Sequence, residues 1–210
     1  MVCLYRLLSW IIVMVLFVAP AIARTTVRAE SQAPAQQVYL YLPLVQKPCL
    51  SLLQDGGFEG GFPNAFWSVT SNVGSVILDN TPTPAAHSGN WKAWLGGANS
   101  VTEKLWQTIV LPSPASPLTL NYWWQVSTSE SVHPSDTLKI QILDQNGNLL
   151  EELDTRSDGD VANSWQQSSK TSATSYGAQT IQLALVANTD ADSPTSFLID
   201  DLALFQGCTP

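Results

Sequence analysis

The amino-acid sequence predicts an all-β protein in which two antiparallel sheets stack face to face as a sandwich. Helical periodicity is absent from Cys49 onward, apolar and polar residues alternate with a period of two, and Gly, Pro, Asn and Asp clusters separate the runs. About nine or ten strands are expected, too many for one open sheet in a chain of this length, so two stacked sheets are the economical arrangement.

The chain opens with a different pattern. Arg6 supplies a positive charge, Leu7 to Val18 form a short apolar run, and Ala21-Ile22-Ala23 offer the small residues of a cleavage site. Residues 1–23 therefore read as a signal peptide that directs export. The apolar run is shorter than the ~20 residues of a permanent span, although an uncleaved anchor is the competing reading. No second run of membrane length follows, so no membrane association is expected after cleavage. Cys3 precedes the apolar run and is not placed for lipid attachment.

Residues 24–48 read as a leader. Arg24 to Gln37 have a linker composition, and Val38 to Val45 form an apolar arm interrupted by Pro43. The arm suits an edge strand, a docked extension, or a segment that contacts a protein partner or a surface. Residues 49–210 form the predicted sandwich domain. Cys49 and Cys208 bracket it, and in an oxidising compartment a disulfide joining the first and last strands is expected, with free thiols or metal ligation as the alternatives.

Alternation is clearest in Leu118 to Val126, Leu138 to Ile142, Ile181 to Leu185 and Ser196 to Leu204. Asp144 to Asn148 separates two such runs and predicts a hairpin. The same alternation sorts the tryptophans. Trp124 keeps company with Leu120 and Tyr122, and Trp91 with Ala93 and Leu95, so both belong to the core. Trp94 beside Lys92, Trp123 between Asn121 and Gln125, and Trp106 opposite Leu105, Ile109 and Leu111 point outward. Outward tryptophans among polar neighbours suggest a platform that stacks on sugar rings. Cover by a loop or by the 38–45 arm, or a bulge that shifts the register, is the competing account.

Two segments and their order carry a resemblance. Leu53-Gln54-Asp55-Gly56-Gly57-Phe58-Glu59 resembles the opening strand of galactose-binding-like jelly rolls, and Phe197-Leu198-Ile199-Asp200-Asp201-Leu202-Ala203-Leu204 resembles their closing strand. Ser88 to Gly97, Leu120 to Trp124 and Tyr176 to Ile181 fall between them in the expected order. The pattern, over residues 50–206, is similar to carbohydrate-binding modules and MAM-like domains of secreted bacterial proteins. The resemblance implies a jelly-roll β-sandwich and, where the opening and closing strands meet, a structural calcium ion. Glu59 and Asp200 match the ligand positions, with Asp201 an alternative. Alternation puts Asp200 on the side of Leu202 and Leu204, where a carboxylate needs a cation or hydrogen bonds; acceptance of backbone N–H groups by Asp200 is the rival explanation. Asn188, Asp190 and Asp192 alternate like early ligands of a calcium loop, but Ser193 and Ile199 stand where glycine and an acid are needed, so a polar turn is expected.

Lys and Arg number nine against seventeen Asp and Glu, a net charge of −8, which lacks the basic footprint of a nucleic-acid binder. His87 and His133 lie in expected loops, and no nucleophile elbow, zinc-protease pair or phosphate-cradling loop is present. The sequence thus predicts a secreted, non-catalytic binding module for a polysaccharide or other glycan, using Trp94, Trp123 and Trp106 with Lys92, Asn121 and Gln125. A structural or adhesive surface domain that contacts other proteins is the alternative.

Overall fold

The computed structural model describes residues 48–162 and 164–208. The expected signal peptide, the apolar arm at 38–45 and most of the leader fall outside the described residues. No helix among the described residues is long and apolar enough to cross a membrane.

Among the described residues, ten strands follow one another: β1 (Ser68–Ser71), β2 (Leu78–Asp79), β3 (Lys92–Gly96), β4 (Thr102–Val110), β5 (Ser116–Thr128), β6 (Thr137–Asp144), β7 (Leu149–Ser157), β8 (Gln166–Tyr176), β9 (Thr180–Asn188) and β10 (Thr195–Gln206). They form two five-stranded sheets, ordered β1-β4-β9-β6-β7 and β2-β3-β10-β5-β8, with antiparallel pairing throughout. The expected two-sheet antiparallel jelly-roll β-sandwich is the fold observed. The hairpin at Asp144–Asn148 joins β6 to β7, with Asp144 Oδ1 accepting the backbone N–H groups of both Asn146 and Asn148.

The core lies between the sheets and is built from the alternate residues of each long strand. Leu118, Leu120, Tyr122 and Val126 of β5 and Phe197, Ile199, Leu202 and Leu204 of β10 belong to the same buried cluster as Leu105 and Ile109 of β4, Leu138, Ile140 and Ile142 of β6, and Ile181, Leu183 and Leu185 of β9. Each such side chain contributes about 1.5–3 kcal/mol by leaving water. Trp91 and Trp124 pack against this cluster, as their companions on the strands predicted.

A polar network crosses from β5 to β7 and β8 at the edge of the core. The Tyr122 hydroxyl donates to Asp154 Oδ2 at 2.5 Å, Arg156 pairs with the same carboxylate at 2.8 Å, and Lys170 approaches its other oxygen at 3.1 Å. The Arg156 guanidinium lies over the Trp124 ring at 4.2 Å. Burial, foremost, and the hydrogen bond to Asp154 push the Tyr122 hydroxyl well above its ordinary pKa.

The opening segment lies against the closing strand. Leu52 N donates to Leu204 O, Leu202 N donates to Gly56 O at 2.9 Å, and the Gln107 amide holds Gln54 by both its N–H and its carbonyl at 2.8 Å. A Cβ on Gly56 would stand 1.9 Å from the Leu202 carbonyl oxygen, so glycine is required there. Cys49 and Cys208 are joined by a disulfide across 159 positions, tying the two ends of the sandwich together.

Beside Gly56, β10 carries a bulge. Its pairing with β5 shifts between Asp200 and Ala203, and Asp201 takes a positive φ of 48°. Odd positions before the bulge (Phe197, Ile199) and even positions after it (Leu202, Leu204) face the core. This corrects the uninterrupted alternation expected for the closing strand. Asp200 does not share a side with Leu202 and Leu204; it is the cross-strand partner of Trp123 and faces away from the core.

Candidate functional site

The outer face of the β2-β3-β10-β5-β8 sheet is assembled from the positions that alternate with the core residues. Across its strands, Trp94 pairs with Leu198 and Leu198 with Gln125; Asp200 pairs with Trp123 and Trp123 with Gln167; Ala203 pairs with Asn121 and Asn121 with Ser169. Trp94, Asn121, Trp123 and Gln125 are each half-buried on this one face. The Trp94 indole N–H donates to Ser196 Oγ at 3.1 Å, which fixes its ring against β10. Asn121 Oδ1 is buried and accepts no hydrogen bond from the described residues.

Residues 80–91 fold back over part of this face. The His87 ring stacks on Trp123 with centroids 3.8 Å apart and planes at 16°, and Trp165 meets His87 edge-on at 5.8 Å. The Trp165 indole N–H in turn donates to Ala85 O at 3.2 Å. Carboxylates pin the segment down. Asp200 Oδ2 accepts from His87 N at 2.8 Å and Ser88 N at 3.1 Å, and its Oδ1 accepts from Asp201 N. Asp201 holds the His87 ring at 2.6 Å and the Ser88 hydroxyl at 2.8 Å. Glu59 Oε1 accepts from Asn90 N and Trp91 N at 2.9 and 3.0 Å. Burial, the dominant effect, raises the Asp200 carboxyl to about 6; the N–H donors oppose it and the Asp201 charge adds to it.

Several sequence-predicted residues have more specific placements. Lys92 was expected at the ligand but is fully buried, its ammonium 2.5 Å from Asp79 Oδ2 and 3.0 Å from Thr81 O beneath the 80–91 segment. Trp106 lies on the other sheet, on β4, paired with Ser68 and Ala184, with Lys104 Nζ 4.8 Å from its ring centroid. It does not share a surface with Trp94 and Trp123. Glu59, Asp200 and Asp201, expected as metal ligands, meet around the 87–91 segment and accept from its N–H and O–H groups. Sequence reasoning missed His87, Trp165 and Gln167, because His87 and Gln167 meet Trp123 from a loop and a neighbouring strand while Trp165 meets His87 from just before β8, and no local spacing marks that convergence.

No family model matches the chain, and no curated protein matches it. Solved structures do. TmCBM61 in complex with β-1,4-galactotriose aligns with a TM-score of 0.54 and 19% identity, covering 74% of this chain and 98% of that one. The K3 cleaved adhesin domain of Lys-gingipain from Porphyromonas gingivalis W83 aligns with a TM-score of 0.50 and 18% identity, covering 72% and 97%. The arabinose-bound MgGH51 α-L-arabinofuranosidase aligns with a TM-score of 0.51 and 13% identity over 76% of this chain but 27% of that one. The likeness to these structures shows the β-sandwich fold. At these identities the likeness establishes architecture, and the face described above is particular to this chain's own side chains.

One group of acidic side chains among the described residues could hold a metal ion. Glu130, Asp136 and Asp190 bring ligand atoms within 4.8 Å of one another, and no other such group of three occurs among the described residues. It involves none of Glu59, Asp200 and Asp201. Asp190, read from the sequence as part of a polar turn, gains its partners from the distant β5–β6 connection.

Proposed function

We propose that this chain is a secreted, non-catalytic module that holds a polysaccharide across the outer face of the β2-β3-β10-β5-β8 sheet. The observation that carries this reading is the placement of Trp94 and Trp123 on one face, half-exposed and separated by β10. Two strand spacings and one row of offset put them about 12 Å apart, the reach of an oligosaccharide rather than of one ring. Indole faces stack on the apolar C–H surfaces of sugars, and flanking amides satisfy the hydroxyls. Gln125 and Gln167 stand in the same rows as the two indoles and supply those amides.

His87 covers one face of Trp123, so the ligand meets a composite of Trp123, His87 and Trp165 rather than a bare indole. The acids below are engaged in holding the loop, which leaves the contact surface aromatic and amide-rich, suited to a neutral glycan. The β-1,4-galactotriose bound by TmCBM61 supports an oligosaccharide as the ligand class. Calcium is the structural cofactor this reading assigns to the fold, away from the sugar.

Affinity electrophoresis against a panel of soluble plant, algal and bacterial polysaccharides tests the proposal. Retardation by at least one neutral polysaccharide, relieved by free oligosaccharide, is the expected result. Unchanged mobility across the panel would contradict it.

A further inference from the structure

We propose that Glu130, Asp136 and Asp190 bind one calcium ion that clamps the two crossovers at one end of the sandwich. This deepens the calcium part of the proposed reading and is independent of glycan binding. Asp136, immediately before β6, is fully buried. Its Oδ1 accepts from Asp190 N at 2.7 Å, while its Oδ2 is buried without a donor among the described residues. Among the described residues, Glu130 Oε1 is likewise buried and without a donor. Ionised carboxylates are acceptors only, so two orphaned oxygens drawn together with Asp190 repel one another and lack hydration. A cation answers both deficits at once.

The surroundings fit a hard cation. The ion pairs formed by lysine and arginine among the described residues involve Asp79, Glu152 and Asp154, and none involves these three acids. The ligand atoms lie within 4.8 Å of one another, a span that oxygens about 2.3–2.6 Å from one calcium ion can have. Beside the cluster, a cleft lined by Asn99, Ser131, Ser135, Asp192 and Ser193 provides further oxygens and a path for water.

The connectivity gives the ion a task. Glu130 and Asp136 lie on the segment that passes from β5 in one sheet to β6 in the other, and Asp190 lies on the segment from β9 back to β10. Thr128 and Thr195 hydroxyls close the same end at 2.7 Å. One ion bound to both segments therefore links the two sheets where no strand pairing can.

Thermal unfolding of the whole chain in about 1 mM calcium chloride and in excess chelator tests the assignment. Calcium should raise Tm by about 5 °C. Asp136→Asn and Glu130→Gln should each abolish the rise, whereas Glu59→Gln should retain it. If the Asp136 variant does not fold, Glu130→Gln decides, since its side chain is only partly buried. A melt insensitive to calcium, a rise that persists in Glu130→Gln, or a rise lost only in Glu59→Gln would overturn the proposal. Polysaccharide retardation on the same samples keeps the two readings apart: lost retardation with an intact calcium response contradicts glycan binding alone.

Discussion

Asp200 and Trp123 are direct cross-strand partners on β10 and β5, and His87 is bound to both, its N–H to the carboxylate and its ring to the indole. The acid beneath the loop and the aromatic beside it thus form one unit. The geometry of the proposed sugar-binding face depends on a carboxylate that no ligand needs to touch.

The raised pKa of Asp200 makes this unit sensitive to pH. Its carboxyl titrates near 6 in the folded chain against an ordinary value of 3.8, so the folded state binds the extra proton between those values. Stability contributed by that proton is present below pH ~4, is lost as pH rises through about 6, and amounts to at most roughly 3 kcal/mol. Asp200→Asn should flatten the stability profile between pH 4 and 7, measured by urea unfolding. An unchanged slope in the variant would contradict this assignment.

The network at the core edge predicts an asymmetry between its two ends. Asp154→Ala leaves Arg156, Lys170 and the Tyr122 hydroxyl without their shared acceptor and should cost about 3 kcal/mol. Tyr122→Phe removes one donor from a carboxylate that keeps two cationic partners and should cost about 1 kcal/mol. Chemical denaturation of both variants checks the order, and a larger loss for Tyr122→Phe would refute it.

Gly56→Ala should destabilise the chain by about 3 kcal/mol or more, because its methyl group would meet the Leu202 carbonyl at the bulge. Gly147→Ala, whose Cβ would meet nothing within 4 Å, is the control for positive-φ strain alone. Equal losses in the two variants would contradict the contact argument.

Opening the Cys49–Cys208 disulfide releases a loop of 159 positions. By chain entropy the Cys49→Ser/Cys208→Ser chain should lose about 4–5 kcal/mol, with Tm lowered by roughly 10 °C or more. A melt within a degree or two of the parent, by calorimetry, would remove the disulfide from the account of stability.

Much of the fold was legible because an extended strand writes its two environments into alternate positions. Leu118 to Val126 and Ile181 to Leu185 carry that pattern, and the Asp144–Asn148 turn and the Cys49–Cys208 pair carry their own signals. The bulge at Asp201 was not legible, since one extra residue between Asp200 and Ala203 changes the register without leaving a mark in the local composition. That shift moved Asp200 from the core side to the side of Trp123. Lys92 reads as an outward lysine on its strand, and only the return of the 80–91 segment buries it. Asp136 and Asp190 stand 54 positions apart, so their shared corner exists only in three dimensions.

The central claim is that one sheet face, and not the aromatic surface at large, binds glycan. Isothermal titration with a polysaccharide that retards the parent chain tests it in three proteins: the parent, the Trp94→Ala/Trp123→Ala double variant, and Trp106→Ala on the opposite sheet. The account predicts a loss of at least about tenfold in affinity for the double variant, some 1.4 kcal/mol, with Trp106→Ala indistinguishable from the parent. Parent-like affinity in the double variant, or an equal loss in Trp106→Ala, would contradict it.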